Sequence, residues 1–383
     1  MNDTKIDFLY LSEQDMIAAG VKDMAACVEA MEEMFKLMKA GDYRMGGANG
    51  NSHGVMMTFP DAPAFPNMPK NGPDRRFMAM PAYLGGTFDM AGVKWYGSNA
   101  ENRKKGLPRS ILMLTLSDKD TGAPIAYMSA NILSAYRTGA VPGVGVKYFA
   151  KEDAKTVGII GPGVMGKTAL ASIMAERSGI DGVKIKGRGA ASIEHFKEYI
   201  RKEYPQIKNV QAVDTEEAAV RGSDIVCICT SSPTGDPNGY PYVKEEWIEP
   251  STLFLCPASA RFDDDFVLNR ARNVADNIHL YEAWEEEYGY PATNAPAYET
   301  IPIPAVHCMD LIHEGRMKPD QVDDLGDVLI GKVPVHHKPG EIVIYSVGGM
   351  PVEDVAWGTT VYRNALKKGI GTKLHLWETP DLA

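Results

Sequence analysis

Residues 155–177 read KTVGIIGPGVMGKTALASIMAER, which is an apolar run, a glycine-rich turn and then a helical pattern. The turn is a G-x-G-x-x-G whose glycines are Gly161, Gly163 and Gly166. In a dinucleotide-binding turn the first glycine permits the tight bend, the second lets the backbone approach a pyrophosphate, and the third lets helix and strand pack closely. The chain contains 37 glycines, but a position directly between a strand and a helix favours this function over a merely structural turn.

Strand and helix patterns alternate in the region that follows this turn. The short apolar runs are VKIKG, VQAV, DIVCICT, TLFLC and RNVADN, with helical segments between several of them. Such alternation predicts a parallel sheet that is covered by helices on both faces. We therefore predict an α/β fold with a Rossmann dinucleotide-binding domain over residues 142–341.

The residues on either side of this region have a different pattern. Methionines recur at helical spacing between residues 24 and 38, and residues 41–75 are rich in Gly, Pro, Asn and Met with little periodicity. Three strand-like segments separated by turns then predict antiparallel pairing, at residues 76–83, 90–96 and 110–117.

The C-terminal residues are predicted to rejoin this first part of the chain. They contain IVIYSVGG and a helical pattern over residues 352–368. The Rossmann domain is thus predicted to be inserted in an α+β substrate-binding and dimerisation domain, made of residues 1–141 plus 342–383.

Composition limits the class of protein. A chain of 383 residues exceeds what one core usually serves, and its net charge of −10 argues against nucleic acid or an anionic membrane as partner. No apolar run approaches the roughly 20 residues of a membrane span. The N-terminus lacks the pattern of a secretory signal, and five scattered cysteines fit buried thiols in a reducing cytoplasm. We expect a cytoplasmic protein.

Histidine pairs do not predict a metal site. His336 and His337 lie in a Pro-containing segment, and His307 and His313 have no acidic companion at ligand spacing. No metal is therefore predicted.

The second strand of the Rossmann region bears on the choice of cofactor. NAD enzymes usually carry an acidic residue about 20 residues after the fingerprint, where it binds the ribose hydroxyls. Here Lys186 and Arg188 lie in that region, and the first carboxylate is that of Glu194. Basic side chains can pair with a 2′-phosphate, which favours NADP over NAD, while a solvated basic loop is the alternative.

Lys94 and Arg137 are the predicted substrate-binding and catalytic residues. Lys94 lies in the apolar segment GVKWYGS, where a cation is costly unless it is paired or faces a site. Arg137 lies among small residues in NILSAYRTGA. A guanidinium fork and an ammonium group together suit an amino-acid carboxylate, although each cation alone is more often part of a surface ion pair.

Four segments together resemble the ornithine cyclodeaminase/mu-crystallin family. They are GVKWYGSNAENRKKGLPRS, LSAYRTGAVPG, IGPGVMGKTAL and YSVGGMPVEDVA, which occur in this order through most of the chain. The segments NSHG and GPDRRFMAMPAYLGG resemble the branch of this family that is named after its association with tyramine oxidase.

The resemblance implies a fold, a chemistry and a set of site residues. Its members have an N-terminal dimerisation and substrate domain with an inserted Rossmann domain, and they move hydride between a nicotinamide and a carbon that bears nitrogen. Lys94 and Arg137 match the residues that hold the substrate carboxylate, and Val347 lies beside the substrate. The implied cofactor contacts are Thr138, Val164, Met165, Lys186, Thr230, the adjacent Ser231, and Ser346.

The chain departs from the family pattern at several positions. The catalytic Asp that cyclodeaminases carry after the fifth Rossmann strand is Pro257 here, and Arg261 replaces a cofactor-facing Lys. The acids at 263–265 could supply a carboxylate, but a solvated turn or helix cap is the simpler interpretation. Arg109 is expected near the cofactor. The family's first substrate arginine has no clear counterpart, and the candidates are His53, Arg75 and Arg76.

These observations predict an NADP-preferring oxidoreductase that acts on the C–N bond of an amino or imino acid, of the imine reductase or amino-acid dehydrogenase type. One alternative is a cyclodeaminase that uses NAD catalytically. Another is an accessory protein that binds NADP without turnover, as the missing Asp would allow. The Met-rich helix and residues 41–75 suggest more apolar surface than one subunit covers, and the resemblance implies a homodimer.

Overall fold

The computed structural model describes residues 4–230, 239–294 and 303–382. The chain divides into two compact units, each with its own sheet. Unit 1 comprises Met1–Asp23, Leu37–Arg137 and Met350–Ala383, and unit 2 comprises Met24–Lys36 and Thr138–Gly349.

Every strand in the described part of the first 149 residues belongs to the sheet of unit 1. In chain order the elements are β1 (Ile6–Leu11), α1 (Glu13–Ala19), α2 (Met24–Ala40), β2 (Tyr43–Met45), β3 (Val55–Thr58), β4 (Arg76–Leu84), β5 (Met90–Ser98), β6 (Ser110–Ser117), β7 (Pro124–Ser129) and α3 (Asn131–Phe149).

The rest of the described chain contributes the second sheet, followed by one helix and one strand of unit 1. Its elements are β8 (Thr156–Ile160), α4 (Val164–Glu176), β9 (Gly182–Lys186), α5 (Ala190–Glu203), β10 (Asn209–Val213), α6 (Glu216–Val220), β11 (Ile225–Ile228), β12 (Leu253–Cys256), α7 (Asp264–Asn269), β13 (Ala271–Ala275), α8 (Ile278–Tyr288), α9 (Pro304–His313), β14 (Val322–Asp324), α10 (Leu325–Leu329), β15 (Ile342–Ser346), α11 (Pro351–Lys368) and β16 (Thr372–Trp377).

The sheet of unit 1 has the strand order β16-β1-β7-β6-β5-β4-β2, and β3 also pairs with β4. Strands β4, β5 and β6 are antiparallel, as their spacing predicts. The segment predicted to be irregular contains two short strands, β2 and β3, because both find unpaired backbone groups on β4.

Helix α11 covers one face of this sheet. Its apolar residues Val352, Val355, Trp357 and Val361 are fully buried. Gly358 lets the helix approach β6, because a Cβ atom there would lie 2.3 Å from Cδ2 of Leu114. The buried face of the sheet therefore lies directly beneath this helix, and Lys94 of β5 is on that face.

The sheet of unit 2 is parallel, with the order β10-β9-β8-β11-β12-β15-β13-β14. Buried apolar strands such as Ile225–Ile228 and Leu253–Cys256 form its centre, as a sheet covered on both faces requires. The predicted Rossmann-type α/β fold is confirmed.

The position of β15 corrects one predicted domain boundary. The sequence analysis placed residues 342–383 in the first domain, but β15 pairs with β12 and β13 in the second sheet. Its four buried residues give it the continuous apolar character of a central parallel strand. The chain leaves unit 2 after Gly349, eight residues later than predicted.

None of the helices in the described part of the chain has the length and hydropathy that a membrane crossing needs.

Candidate functional site

The glycine-rich turn joins β8 to α4 in unit 2, and its first glycine packs against the residues that follow β11. Gly161 has a φ of +105°, a backbone conformation that L side chains rarely adopt. A Cβ atom at this position would lie 2.6 Å from the carbonyl oxygen of Cys229. The chain can therefore make this bend only with glycine.

The other two glycines create an open approach and a close packing contact. Apart from Gly163 and its two neighbours in the chain, no atom of the described residues lies within 4 Å of the position that a Cβ of Gly163 would take, so a large anion can reach the backbone at the start of α4. A Cβ on Gly166 would lie 2.7 Å from the carbonyl oxygen of Gly161. The first backbone N–H groups of a helix have no partner within the helix, and they favour negative charge. The turn fits a dinucleotide pyrophosphate.

Basic residues lie at the end of β9, the strand that pairs with β8, and just after it. The backbone N–H of Gly161 donates to the carbonyl oxygen of Lys186 at 2.9 Å. A Cβ on Gly187 would lie 2.8 Å from Cγ of Pro162, so the segment after β9 contacts the turn. Lys186 is half-buried and Arg188 is exposed. Glu194, the next carboxylate along the chain, accepts a hydrogen bond from Lys197 at 2.8 Å.

Three of the predicted cofactor contacts lie in unit 2, on or beside elements of its sheet and helices. Thr230 follows β11, and its backbone nitrogen would be 2.8 Å from a Cβ on Gly161. Thr138 precedes Gly139, whose lack of a side chain lets α3 pack against Thr168 of α4. Ser346 ends β15, and its hydroxyl accepts a hydrogen bond from the backbone N–H of Ala305 at 3.0 Å. Ser231 lies outside the described residues.

Unit 1 contains a buried cluster of four charged residues. Lys94 projects from β5 and its Nζ donates to Oδ2 of Asp354 at 2.7 Å and to Oγ of Ser134 at 3.3 Å. Arg137 of α3 donates from Nε to Oδ1 of Asp354 at 3.0 Å, and from a terminal nitrogen to Glu353. Exposure is 4% or less at each of these four positions.

The two cations respond differently to burial. Burial lowers the pKa of Lys94 to about 8, with the charge of Arg137 acting in the same direction and Asp354 opposing it. Burial also opposes the charge of Arg137, but Asp354 and Glu353 outweigh it and raise the pKa of the guanidinium. Lys94 can therefore exchange a proton near neutral pH, whereas Arg137 stays charged.

Glu353 and Asp354 are functional candidates that the sequence analysis missed. They occupy the first turn of α11, where acidic residues ordinarily interact with the helix N-terminus in water. The available signal was two adjacent acids at the start of a helix with a wide apolar face. Only the tertiary structure pairs them with cations from β5 and α3.

Arg76, one of the candidates for a further substrate arginine, shares an aromatic neighbour with Lys94 of this cluster. Its guanidinium carbon lies 5.9 Å from the ring centre of Tyr96, and Nζ of Lys94 lies 5.7 Å from the same ring. Arg76 pairs with Asp74, but its Nε is buried and has no hydrogen-bond partner among the described residues. Arg75 instead donates to the carbonyl oxygen of Lys70 at 2.8 Å.

The glycine-rich turn of unit 2 and the charged cluster of unit 1 both belong to the segments that resemble a known family. A comparison with protein-family models tests this resemblance. The model of the ornithine cyclodeaminase/mu-crystallin family matches residues 20–369. The chain belongs to this family. The resemblance seen in the sequence is thereby confirmed, whereas assignment to the tyramine oxidase branch remains a prediction.

Proteins similar to this chain include dehydrogenases and reductases as well as cyclodeaminases. The N-((2S)-2-amino-2-carboxyethyl)-L-glutamate dehydrogenase of Staphylococcus aureus is 25% identical over 374 residues, which is 97% of this chain and 99% of that protein. Two solved structures share the fold. The Δ(1)-pyrroline-2-carboxylate reductase of Thermococcus litoralis, in complex with NADH and L-proline, has a TM-score of 0.74 and 23% identity, covering 96% of this chain and 100% of that chain. An archaeal alanine dehydrogenase dimer with bound NAD has a TM-score of 0.73 and 24% identity, covering 97% and 100%.

The acids that follow Pro257 are engaged in local contacts. Asp263 accepts a hydrogen bond from the Tyr242 hydroxyl at 2.6 Å, and Asp265 accepts one from Asn269 at 2.8 Å. Asp264 lies 2.8 Å from His307 and also pairs with Arg316. These contacts engage the three acids locally at the start of α7, where Asp263 occupies the N-cap position without a side-chain cap hydrogen bond, and they disfavour a replacement for the catalytic Asp of cyclodeaminases.

The structure places Arg109 and Arg261 in local surroundings that the sequence did not predict. Arg109 lies 3.0 Å from Asp74 in unit 1. Arg261 lies over the ring of Tyr242 at 5.3 Å and lines a cavity of about 520 Å³ in unit 2 together with His307. The described lining of that cavity does not include the glycine-rich turn. Val347 is buried, with its N–H donated to the carbonyl oxygen of Cys256 at 3.1 Å.

Histidines form separate pairs with acids rather than a metal site. Examples are His307 with Asp264 and His313 with Glu285. Among the described residues, no group of three or more His, Cys, Asp or Glu side chains could hold a metal ion.

Proposed function

We propose that this protein is an NAD(P)-dependent oxidoreductase that acts on the C–N bond of an amino or imino acid, of the imine reductase or amino-acid dehydrogenase type. The observation that carries the proposal is the buried pair Lys94 and Arg137, held by one carboxylate in a chain whose other unit has an open dinucleotide turn. The dehydrogenase relative and the reductase fold support the same chemistry.

The substrate carboxylate would bind to Arg137 and Lys94. Nε and one terminal nitrogen of Arg137 are hydrogen-bonded, while the other terminal nitrogen has no hydrogen-bond partner among the residues that the structure describes. Asp354 fixes both cations before substrate arrives, so little rotamer freedom is lost on binding. Arg76, whose guanidinium lies near the same Tyr96 ring as the Lys94 ammonium, would add positive potential for the same carboxylate.

Lys94 would also handle the proton of the reaction. The nicotinamide, when bound, donates or accepts a hydride at its C4 position. Reduction of an imine also requires one proton at the substrate nitrogen, and oxidation of an amine releases one. With a pKa of about 8, the Lys94 ammonium can supply that proton near neutral pH, and the neutral Lys94 amine can accept it. Val347 would lie beside the substrate, as in the family.

The cofactor would bind through the glycine-rich turn, with NADP preferred over NAD. The turn would hold the pyrophosphate through Gly163, Val164 and Met165. Lys186 and Arg188 would face the 2′-phosphate, since the segment that carries them contacts the turn. Thr138, Thr230, Ser231 and Ser346 would complete the site. Arg109 and Arg261 are weaker candidates because each already has an interaction elsewhere.

An accessory protein that binds the cofactor without turnover is the second candidate. It is favoured by Pro257 at the position of the catalytic Asp of cyclodeaminases, together with the local contacts of the acids at 263–265. The same observation disfavours a cyclodeaminase, which needs that carboxylate.

We also propose a homodimer built through unit 1. The face of its sheet opposite α11 carries large apolar side chains that are exposed, among them Met57, Trp95, Ile111 and Tyr127. Trp95 stacks on Phe77 with ring centres 5.6 Å apart, and these two rings line a shallow depression of about 560 Å³. An exposed apolar surface of this kind is typical of a subunit interface, and the alanine dehydrogenase relative in fold is a dimer.

The decisive experiment is a substrate screen that follows NADPH and NADH absorbance. Cyclic imino acids and α-keto acids with ammonia or amines test reduction, and the matching amino acids test oxidation. Net cofactor turnover with one class supports the oxidoreductase. Ammonia release without net cofactor change would instead indicate a cyclodeaminase, and cofactor binding without any turnover an accessory protein.

A further inference from the structure

Asp276 is a buried carboxylate of unit 2 that the proposed function does not use. It directly follows β13 and its side chain is inaccessible, with the residue 1% exposed. An ionised group in such a position is costly unless hydrogen bonds compensate for the lost water. The partners of Asp276 therefore indicate what the residue is for.

Those partners hold the turn that follows β15. The backbone N–H of Asp276 donates to the carbonyl oxygen of Ser346 at 3.1 Å. Its Oδ2 accepts from the backbone N–H of Gly348 at 2.7 Å, and Gly349 also donates a backbone hydrogen bond to the carboxylate. Asp276 thus contacts the turn at its beginning and at its end.

The turn of residues 346–349 needs these hydrogen bonds because its sequence does not by itself restrict the backbone to one conformation. Gly348 is required for packing, since a Cβ there would lie 2.5 Å from Cδ2 of Leu280, and Gly349 has a φ of +75°. Two consecutive glycines leave many backbone conformations open. The turn carries Ser346 and Val347, which the proposed function places against the cofactor and the substrate.

We propose that Asp276 is a positioning residue whose ionised carboxylate fixes the turn of residues 346–349 and thereby makes dinucleotide binding depend on pH. This inference rests on the proposed function, which supplies the role of Ser346. Asp276 itself would touch neither cofactor nor substrate.

The environment of Asp276 makes its charge state variable near neutral pH. Burial raises the pKa of Asp276 to about 6, although Tyr281 and the backbone N–H groups oppose this shift. The Tyr281 hydroxyl donates to Oδ1 at 2.7 Å. A proton added to the carboxylate replaces an acceptor by a donor, so at least one of these contacts is lost.

The ionisable groups named below, on the strands and helices around Asp276, contact residues other than Asp276. Asp324 at the end of β14 accepts the N–H of Ile278 at 3.1 Å, and His279 of α8 contacts Glu282 at 2.7 Å. On α9, Asp310 accepts the N–H of Ala292 at 2.8 Å, and His307 contacts Asp264. The direct ionisable contact of Asp276 is Tyr281.

The test compares cofactor affinity across pH in four proteins: the wild type, Asp276→Asn, Tyr281→Phe and Asp310→Asn. NADH and NADPH are titrated by fluorescence between about pH 5 and pH 8. We expect wild-type affinity to fall as pH decreases through about 6. Asp276→Asn should bind about tenfold more weakly at the upper pH and lack this transition. Tyr281→Phe should move the transition to higher pH, because the hydroxyl lowers the pKa of Asp276.

Asp310→Asn is the matched control. Asp310 is 3% exposed and also accepts backbone N–H groups, but from Ala292 and Thr293 rather than from the turn. This variant should keep the wild-type transition. An identical transition in Asp276→Asn, or none in the wild type, overturns the proposal.

Amide hydrogen exchange of the ligand-free protein separates this proposal from the proposed function. After correction for intrinsic rates, the peptide that spans residues 346–349 should exchange faster below about pH 6 in the wild type and at all pH values in Asp276→Asn. Failure of both cofactors to bind the wild type refutes the proposed function. The exchange measurement still decides whether Asp276 fixes the turn.

Discussion

The ammonium nitrogen of Lys94 lies 2.7 Å from Oδ2 of Asp354, and the other oxygen of that carboxylate lies 3.0 Å from Nε of Arg137. One carboxylate therefore holds two cations that would otherwise repel each other inside unit 1. Glu353 pairs with Arg137 and supplies a second negative charge, so that two carboxylates neutralise two cations before any ligand binds. This balance explains how two basic residues remain charged where water is excluded.

Loss of either cation should damage substrate use. Removing one desolvated, charge-assisted contact typically costs about 2–5 kcal/mol, or roughly 30- to 5,000-fold in kcat/KM. Lys94→Ala and Arg137→Ala should both show this loss in steady-state kinetics. Arg137→Lys should stay impaired, because an ammonium group cannot reproduce the fork of a guanidinium. Cofactor titration of Lys94→Ala supplies the control and should be close to the wild type. Near-normal kcat/KM in both alanine variants would favour the accessory protein.

The pH dependence of kcat/KM should report the charge of Lys94. In the reductive direction a protonated Lys94 both binds the carboxylate and supplies the proton, so kcat/KM for imine reduction should fall as pH rises through about 8. Asp354 raises the pKa of Lys94, so Asp354→Asn should move this fall to lower pH. Glu353→Gln is the matched comparison: it removes a carboxylate that pairs with Arg137 and makes a smaller contribution to the pKa of Lys94, so it should move the fall less than Asp354→Asn does. A profile for Asp354→Asn that coincides with that of the wild type would contradict the assignment.

NADPH should bind at least several-fold more tightly than NADH. The physical reason is the pair of Lys186, which ends β9 beside the glycine-rich turn, and Arg188, which follows it, because charge-assisted hydrogen bonds to a phosphate are strong. Arg188→Ala should narrow the difference by weakening NADPH alone. Lys197→Ala, which changes a lysine on the following helix that pairs with Glu194, is a suitable control. Equal affinities in the wild type would remove the preference from the proposal.

The exposed face of the unit 1 sheet should form the dimer interface. Light scattering of the wild type should give about twice 41.8 kDa at micromolar concentration. Trp95→Glu places a charge among exposed apolar side chains and should shift the protein towards monomer, since desolvating an unpaired charge is costly. Leu366→Glu changes an exposed leucine on α11 and should leave the mass unchanged. A wild-type mass near 41.8 kDa would exclude the dimer.

The sequence by itself determined the Rossmann-type unit and singled out the two cations of the buried cluster. Gly161, Gly163 and Gly166 follow an apolar strand, and each glycine has the steric role that its spacing predicts. Those roles depend on backbone contacts over a few residues, which a local pattern encodes. Lys94 was also predictable, because a cation within an apolar strand must find a partner.

Only the tertiary structure decided the partners of these groups and the place of β15. Asp354 reaches Lys94 across 260 positions of sequence, and Asp276 reaches Gly348 across 72. The apolar run at 342–346 could pair with either sheet, and it found its partners in β12 and β13. The local sequence indicates that a charged or polar group must be buried and paired. It does not indicate which distant group is the partner, because hydrogen bonds and ion pairs act only over a few ångströms. The partner therefore depends on how the fold brings the strands and helices together.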